Sequence, residues 1–165
     1  MRKWVIPAAV GGLGALWWLV QGSSSPEAAL PVLQPGQQEF VAIIKAEALR
    51  QGVPVELALA TAEVESGFRD VQNGSSYGPM QVHISGLLPG ESATDLKNPT
   101  FSIARGVSIL KQRLKLAKGD TLLARIMYLC GPGYQKSCSE AAIARLRTRW
   151  GPVASKYGVA ATYTV

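Results

Sequence analysis

Histidine occurs once in the 165 residues, as His83, and cysteine twice, as Cys130 and Cys138. A single histidine and no C-x-x-C pair leave no zinc-ligand spacing and no dithiol redox motif. No histidine–carboxylate cluster is present either, so neither a metal nor a cofactor is expected. Charged residues make up only 17% of the chain and hydrophobic ones 47%, which excludes a disordered protein. No period of 20 to 50 residues recurs, which argues against a solenoid. Few segments alternate with period two, so the expected fold class is mainly α.

The charge that is there is unevenly placed. Residues 37–100 hold 4 Lys and Arg against 8 Asp and Glu, whereas residues 101–165 hold 11 against 2, within a net charge of +6. A basic half can seek nucleic acid, anionic lipid or an anionic wall polymer, or can be a set of solvated helix faces. The two cysteines lie eight positions apart. In an oxidising compartment they would pair and add about 2–3 kcal/mol; otherwise they are two buried thiols.

Arg2 and Lys3 precede an uncharged stretch, residues 4–20, followed by small and polar residues from Gln21 to Pro26. This order reads as a secretory signal or an N-terminal anchor covering residues 1–22. Seventeen residues in a helix reach roughly 25 Å, just short of a bilayer core, and Trp17 and Trp18 suit its interface. Cleavage after Gly22 and retention as an anchor in the inner membrane are both open. No cysteine follows the run, so lipid anchoring is not expected. Positive residues ahead of the segment place the rest of the chain outside the cytoplasm. Residues 23–36, rich in Ser, Pro, Gly and Gln, read as a flexible linker.

Residues 37–165 form the expected domain. Phe40, Ile43, Ile44, Glu47 and Ala48 keep a helical period, with Gly52 as the stop. Pro54 suits the first turn of a second helix ending near Ser66. Residues 67–78 read as loop, with Asn73-Gly74 as a turn. Asn98-Pro99 opens a third helix with the stripe Phe101, Ala104, Val107, Leu110, Leu114 and Ala117. Asp120 caps a fourth, and Ser139-Glu140 opens a fifth that runs toward Trp150. A short separate piece is expected after Pro152.

The second helix is apolar yet carries Glu63 and Glu65, which point to opposite sides and cannot share a pocket. Glu65 lies at the helix end. In apolar surroundings, against the negative end of the helix dipole, its pKa should rise. A carboxyl still protonated near neutral pH can donate to a glycosidic oxygen. From spacing alone, a helix-end glutamate in a salt bridge is the simpler account.

The neighbouring residues add to this. Glu65-Ser66-Gly67-Phe68, then Tyr77-Gly78-Pro79-Met80-Gln81-Val82, then Tyr128-Leu129-Cys130-Gly131-Pro132-Gly133 occur in that order. The run resembles the SLT-domain lytic transglycosylases, relatives of goose-type lysozyme, whose motifs are E-S-x-F, G-[LP]-M-Q and Y-N-A-G-x-G. The resemblance covers residues 37–157 and implies a lysozyme-like helical domain that cleaves peptidoglycan. It makes Glu65 the catalytic residue. Ser66, Met80, Gln81, Tyr128 and Gly131 become substrate-binding residues: Gln81 to bond an N-acetyl or carbonyl group, Met80 as apolar wall, and the Tyr128 hydroxyl reaching toward the catalytic carboxyl. Leu129 departs from the motif's asparagine, and Cys130 from its small residue.

The implied reaction needs one carboxyl. Glu65 protonates the oxygen of the MurNAc–GlcNAc β-1,4 bond, then accepts the C6 hydroxyl proton, leaving a 1,6-anhydro-MurNAc end. A hydrolysing muramidase would need a second acid, for which Asp70, Glu91 and Asp95 are the neighbours in sequence. A weakly active wall-binding module of a larger machine is the other alternative. His83 reads as a structural or groove-edge residue. Expected partners are peptidoglycan glycan strands, the inner membrane through residues 4–20, and a secretion, conjugation, pilus or phage assembly. The basic half lacks a recognition motif, so no nucleic acid is expected. The expected location is periplasmic.

Overall fold

A computed structural model describes residues 33–164 of the chain. The signal or anchor expected at 1–22, and most of the linker expected at 23–36, lie outside the described residues. Six helices carry the described domain: α1 Pro35–Gln51, α2 Val55–Ser66, α3 Pro99–Leu116, α4 Thr121–Cys130, α5 Tyr134–Ser137 and α6 Glu140–Lys156. Among the described residues, no helix is long and apolar enough to cross a membrane.

α1 opens two residues ahead of the expected domain start. Proline suits the first turn of a helix, where its missing N–H is not needed, and Gln37 Oε1 accepts from the backbone N–H of Gln34 at 2.8 Å. The later starts follow the expected caps. Asn98 accepts from Thr100 and Phe101, Asp120 from Leu123, and Ser139 from Ala142, each satisfying a donor that the first helical turn leaves free.

α2 is the central element. Leu57, Ala58, Leu59, Ala60, Thr61, Ala62 and Val64 are all buried, as befits a largely apolar helix enclosed by its neighbours. α1 and α6 pack on it, and α3 packs on α1 and α4. Ile44, Ile103, Val107, Leu110 and Trp150 extend the same core.

Two stretches depart from the sequence reading. Residues 72–83 form a small antiparallel sheet of β1 Gln72–Asn73, β2 Ser76–Tyr77 and β3 Val82–His83. Gln72 pairs with Tyr77, and Tyr77 with Val82. Two-residue strands are too short to show alternation. Past Pro152 the chain does not start a separate piece, because α6 runs unbroken through the proline to Lys156. Pro152 removes one helical hydrogen bond, but anchors beyond it hold the last turn. Lys156 Nζ lies 2.7 Å from Glu63 Oε2, and the Tyr157 hydroxyl donates to the same oxygen at 2.6 Å.

Two glycines allow the sheet region to sit on α3. A Cβ on Gly78 would lie 2.0 Å from Ser102 Oγ, and one on Gly106 would lie 2.7 Å from Met80 Cβ and 3.0 Å from the Tyr128 hydroxyl. Neither space holds a methyl group, so both positions must lack a side chain. The loop carrying Met80 and Gln81 is thereby pressed against the helix faces that carry Arg113 and Tyr128.

Candidate active site

α2 ends where α4, α6 and the small sheet converge, and a cleft of about 580 Å³ opens there. Glu65, Gln81, His83, Tyr128, Leu129 and Gly131 line it, together with Arg113 and Arg149. Among the described residues, Glu65 is the one acidic side chain on its walls.

The Glu65 side chain is 16% exposed, and its Oε1 accepts a hydrogen bond from Arg125 Nη2 at 2.8 Å. Arg125 is completely buried on α4, so the carboxyl does not sit in the wholly apolar surroundings expected from sequence. The guanidinium carbon lies 5.2 Å from the Tyr128 ring centre and 5.4 Å from that of Trp150. Both rings can stabilise the cation through their faces. Among the described residues, Arg125 Nε and Nη1 have no hydrogen-bond partner, which leaves Glu65 and the two rings as its compensation there. Nothing in the α4 sequence signals this, since an arginine in a helix is ordinarily a surface residue.

Tyr128 lies three residues after Arg125, on the same face of α4. Its hydroxyl donates to the carbonyl oxygen of Met80 at 2.9 Å. Burial pushes the phenol pKa far up and the nearby Glu65 charge adds to the rise, so the hydroxyl remains a donor. The hydrogen bond it makes thus runs to the loop and not to the carboxyl. Gln81 takes a positive φ of 49°, and its Nε2 donates to the carbonyls of Val71 and Gly78 at 2.8 and 2.9 Å. That locks the amide nitrogen and leaves the amide oxygen as the free polar atom.

Ser66 and Met80 lie beneath the cleft and do not line it. Ser66 is buried; its hydroxyl donates to the Pro79 carbonyl at 2.7 Å and accepts from the Arg69 N–H at 3.0 Å. It ties the end of α2 to the second motif. Met80 is fully buried, against Gly106. Gly131 lines the cleft at φ 81°, and Leu129 stands half exposed on the wall where the motif has asparagine. His83 Nδ1 is 2.8 Å from Ser85 Oγ and accepts from the Ser85 N–H, bracing the turn at the cleft edge.

The acids considered as second carboxylates lie elsewhere. Glu91 accepts from the Leu88 N–H and pairs with Arg105 at 3.1 Å. Asp95 accepts from the Ser92 N–H and hydroxyl, and these bonds hold its pKa below the usual carboxylate value. Asp70 is exposed, and none of the three is on the cleft wall. Glu63 is bound to Lys156 and Tyr157 on the α6 side. No cluster of three or more metal-ligating side chains occurs among the described residues.

Cys130 and Cys138 form a disulfide with Cα atoms 5.5 Å apart. It closes the segment that holds Gly131 and α5, so one wall of the cleft is covalently braced.

A helical domain with one carboxyl in a groove between a buried helix and a small sheet is the lysozyme-like class. Residues 42–147 match the family model described as the transglycosylase SLT domain, a span that holds Glu65, Gln81, Tyr128 and Gly131. The chain belongs to this family and is a transglycosylase-type enzyme acting on peptidoglycan. No curated protein and no solved structure matches the chain.

Proposed function

We propose that the protein is a lyase that cuts the MurNAc–GlcNAc β-1,4 bond and leaves a 1,6-anhydro-MurNAc end, with Glu65 as acid and then base. The observation that carries this reading is the single carboxyl of the cleft. Hydrolysis through paired acids needs a second carboxyl about 5–10 Å away, and the walls offer none among the described residues. Once the glycosidic oxygen has taken the proton, Arg125 stabilises the carboxylate left behind. The substrate's own acetamido group supports the positive charge at C1. Glu65 then accepts the C6 hydroxyl proton as that oxygen closes on C1.

In this reading Gln81 offers its amide oxygen to a substrate N–H, Gly131 lets the glycan approach the backbone, and Tyr128 holds the Met80 loop in place. Ser66 and Met80 act from beneath, by fixing the cleft floor. Peptidoglycan lies outside the cytoplasmic membrane, and the apolar stretch at residues 4–20 supports export or anchoring there. A tethered domain of this size suits local opening of the wall for a larger assembly such as a secretion machine, a pilus or a phage particle. One observation favours a second reading, a wall-binding module of low activity: Leu129 removes a polar group from the cleft wall.

Mass spectrometry of digested peptidoglycan tests the proposal. Anhydro-MurNAc ends that vanish in Glu65→Gln are the expected result. Reducing MurNAc ends would make the enzyme a muramidase, and wall binding without cleavage by the native protein would make it a binding module.

A further inference from the structure

Two arginines on the cleft have no role in the reaction just described. Arg113, from α3, is partly buried on the cleft wall, and its Nε is shielded from solvent without a hydrogen-bond partner among the described residues. Burial lowers its pKa from the ordinary guanidinium value, although the group stays charged. Arg149, from α6, lines the same cleft and gives one nitrogen to the Val64 carbonyl. Neither is in a salt bridge among the described residues. Glu65, the one acid on the cleft among the described residues, is already held by Arg125.

A partly desolvated cation without a counter-charge costs free energy, and an arriving anion recovers it. Arginine matches a carboxylate with two parallel hydrogen bonds. A plain N-acetylglucosamine chain has no anion to offer. Peptidoglycan has two sources: the lactyl group of MurNAc where no peptide is attached, and the stem peptide where one is.

We infer that the cleft binds a carboxylate carried by its glycan substrate, with Arg113 as the specificity-determining residue and Arg149 reinforcing it. The inference rests on the reading of the cleft as a peptidoglycan site and adds the substrate charge that the site selects. Arg113 acts on binding, and the proton transfers stay with Glu65.

The test uses the full chain carrying Glu65→Gln, which binds without turnover. Affinity is measured for three probes: strands bearing stem peptides, strands stripped of peptides by an amidase, and neutral N-acetylglucosamine oligomers. Adding Arg113→Gln is expected to weaken binding of a carboxylated strand about tenfold, the worth of one charged hydrogen bond, and to change the neutral oligomer less than about twofold. Arg113→Lys keeps the charge but not the paired hydrogen bonds, so it retains only part of the preference. Loss confined to stripped strands identifies the lactyl carboxylate, and loss confined to peptide-bearing strands identifies the stem peptide. Equal loss for all three probes, or loss for none, overturns the inference while leaving the cleft a glycan site. Failure of every probe to bind, with no wall cleavage by the native enzyme, overturns the peptidoglycan reading as well. If Arg113→Gln does not fold, the salt dependence of the Glu65→Gln protein decides. Affinity for carboxylated strands should fall with salt and that for neutral oligomers should not; equal salt responses overturn the inference.

Discussion

The Glu65 carboxylate and the Arg125 guanidinium meet at 2.8 Å, one from the end of α2 and the other from the middle of α4. Arg125 is wholly buried, while Glu65 reaches the cleft with 16% of its side chain exposed. The arginine is thus part of the framework, and the glutamate is the member of the pair that is open to the cleft. Removing one partner of a buried pair leaves an uncompensated charge and costs about 3–5 kcal/mol. Arg125→Ala also empties the space between Tyr128 and Trp150. It is expected to lower stability by about that amount in urea unfolding and to reduce wall cleavage at least about tenfold, because Glu65 loses its fixed position. Arg125→Lys, which keeps the charge but not the planar stacking, should fall between the two. Unchanged stability in Arg125→Ala would mean that the pair contributes nothing to the fold.

Two tyrosines make the domain sensitive to alkali. Tyr128 is raised by burial and then by the Glu65 charge. Tyr157 is raised by burial and then by its hydrogen bond to Glu63. The unfolded value is about 10. A folded value above the unfolded one means that the folded state binds the proton more tightly. The stability from this source is therefore fully present below about pH 10 and is lost as pH rises from there through the folded values. Urea midpoints should hold level up to about pH 10 and then drop. Phenolate absorbance from these two side chains should appear together with unfolding. Tyr157→Phe should soften the drop, at a cost of about 1 kcal/mol for the lost hydrogen bond. Phenolate absorbance that rises for all tyrosines well before unfolding would contradict this account.

Much of the architecture was legible because the sequence marks it with local signals. Asn98, Asp120 and Ser139 are cap residues whose function depends on the next three positions, and each caps its helix. The placing of Glu63 and Glu65 on opposite sides followed from helical spacing alone. What was not legible depends on distant parts of the chain. Arg125 is 60 positions from Glu65, and only the packing of α4 on the core turns it inward. Arg113 and Arg149 come from two different helices, and only the fold brings both to the cleft wall. Ser66 and Met80 were placed as groove residues from their motifs, but a motif says that a residue is needed and not which way it faces. Pro152 reads as a break, yet the ion pair of Lys156 with Glu63 lies 93 positions away in sequence.

The Cys130–Cys138 bridge spans the loop that carries Gly131. Cross-linking residues eight apart removes loop freedom from the unfolded chain worth about 2–3 kcal/mol. Cys138→Ser should therefore lower stability by about that amount under non-reducing conditions. Dithiothreitol should do the same to the native protein and nothing further to the variant. Because the bridge braces one wall of the cleft, KM for peptidoglycan should rise more than kcat falls. A variant as stable as the native protein would show that the loop is held without the bridge.

Leu129 offers a gain of function. Its side chain is 49% exposed on the cleft wall, so the fold gains little from its apolar surface and a polar replacement costs less than about 0.5 kcal/mol. Asparagine at this position would present both a donor and an acceptor to the glycan. One new neutral hydrogen bond is worth about 1 kcal/mol net, or roughly fivefold in binding. Leu129→Asn should thus raise kcat/KM on peptidoglycan about fivefold with an unchanged melting temperature. If it instead lowers activity at unchanged stability, Leu129 contributes an apolar contact of its own to the sugar. The native cleft would then be adapted to leucine, which would remove the observation that favours a wall-binding module of low activity.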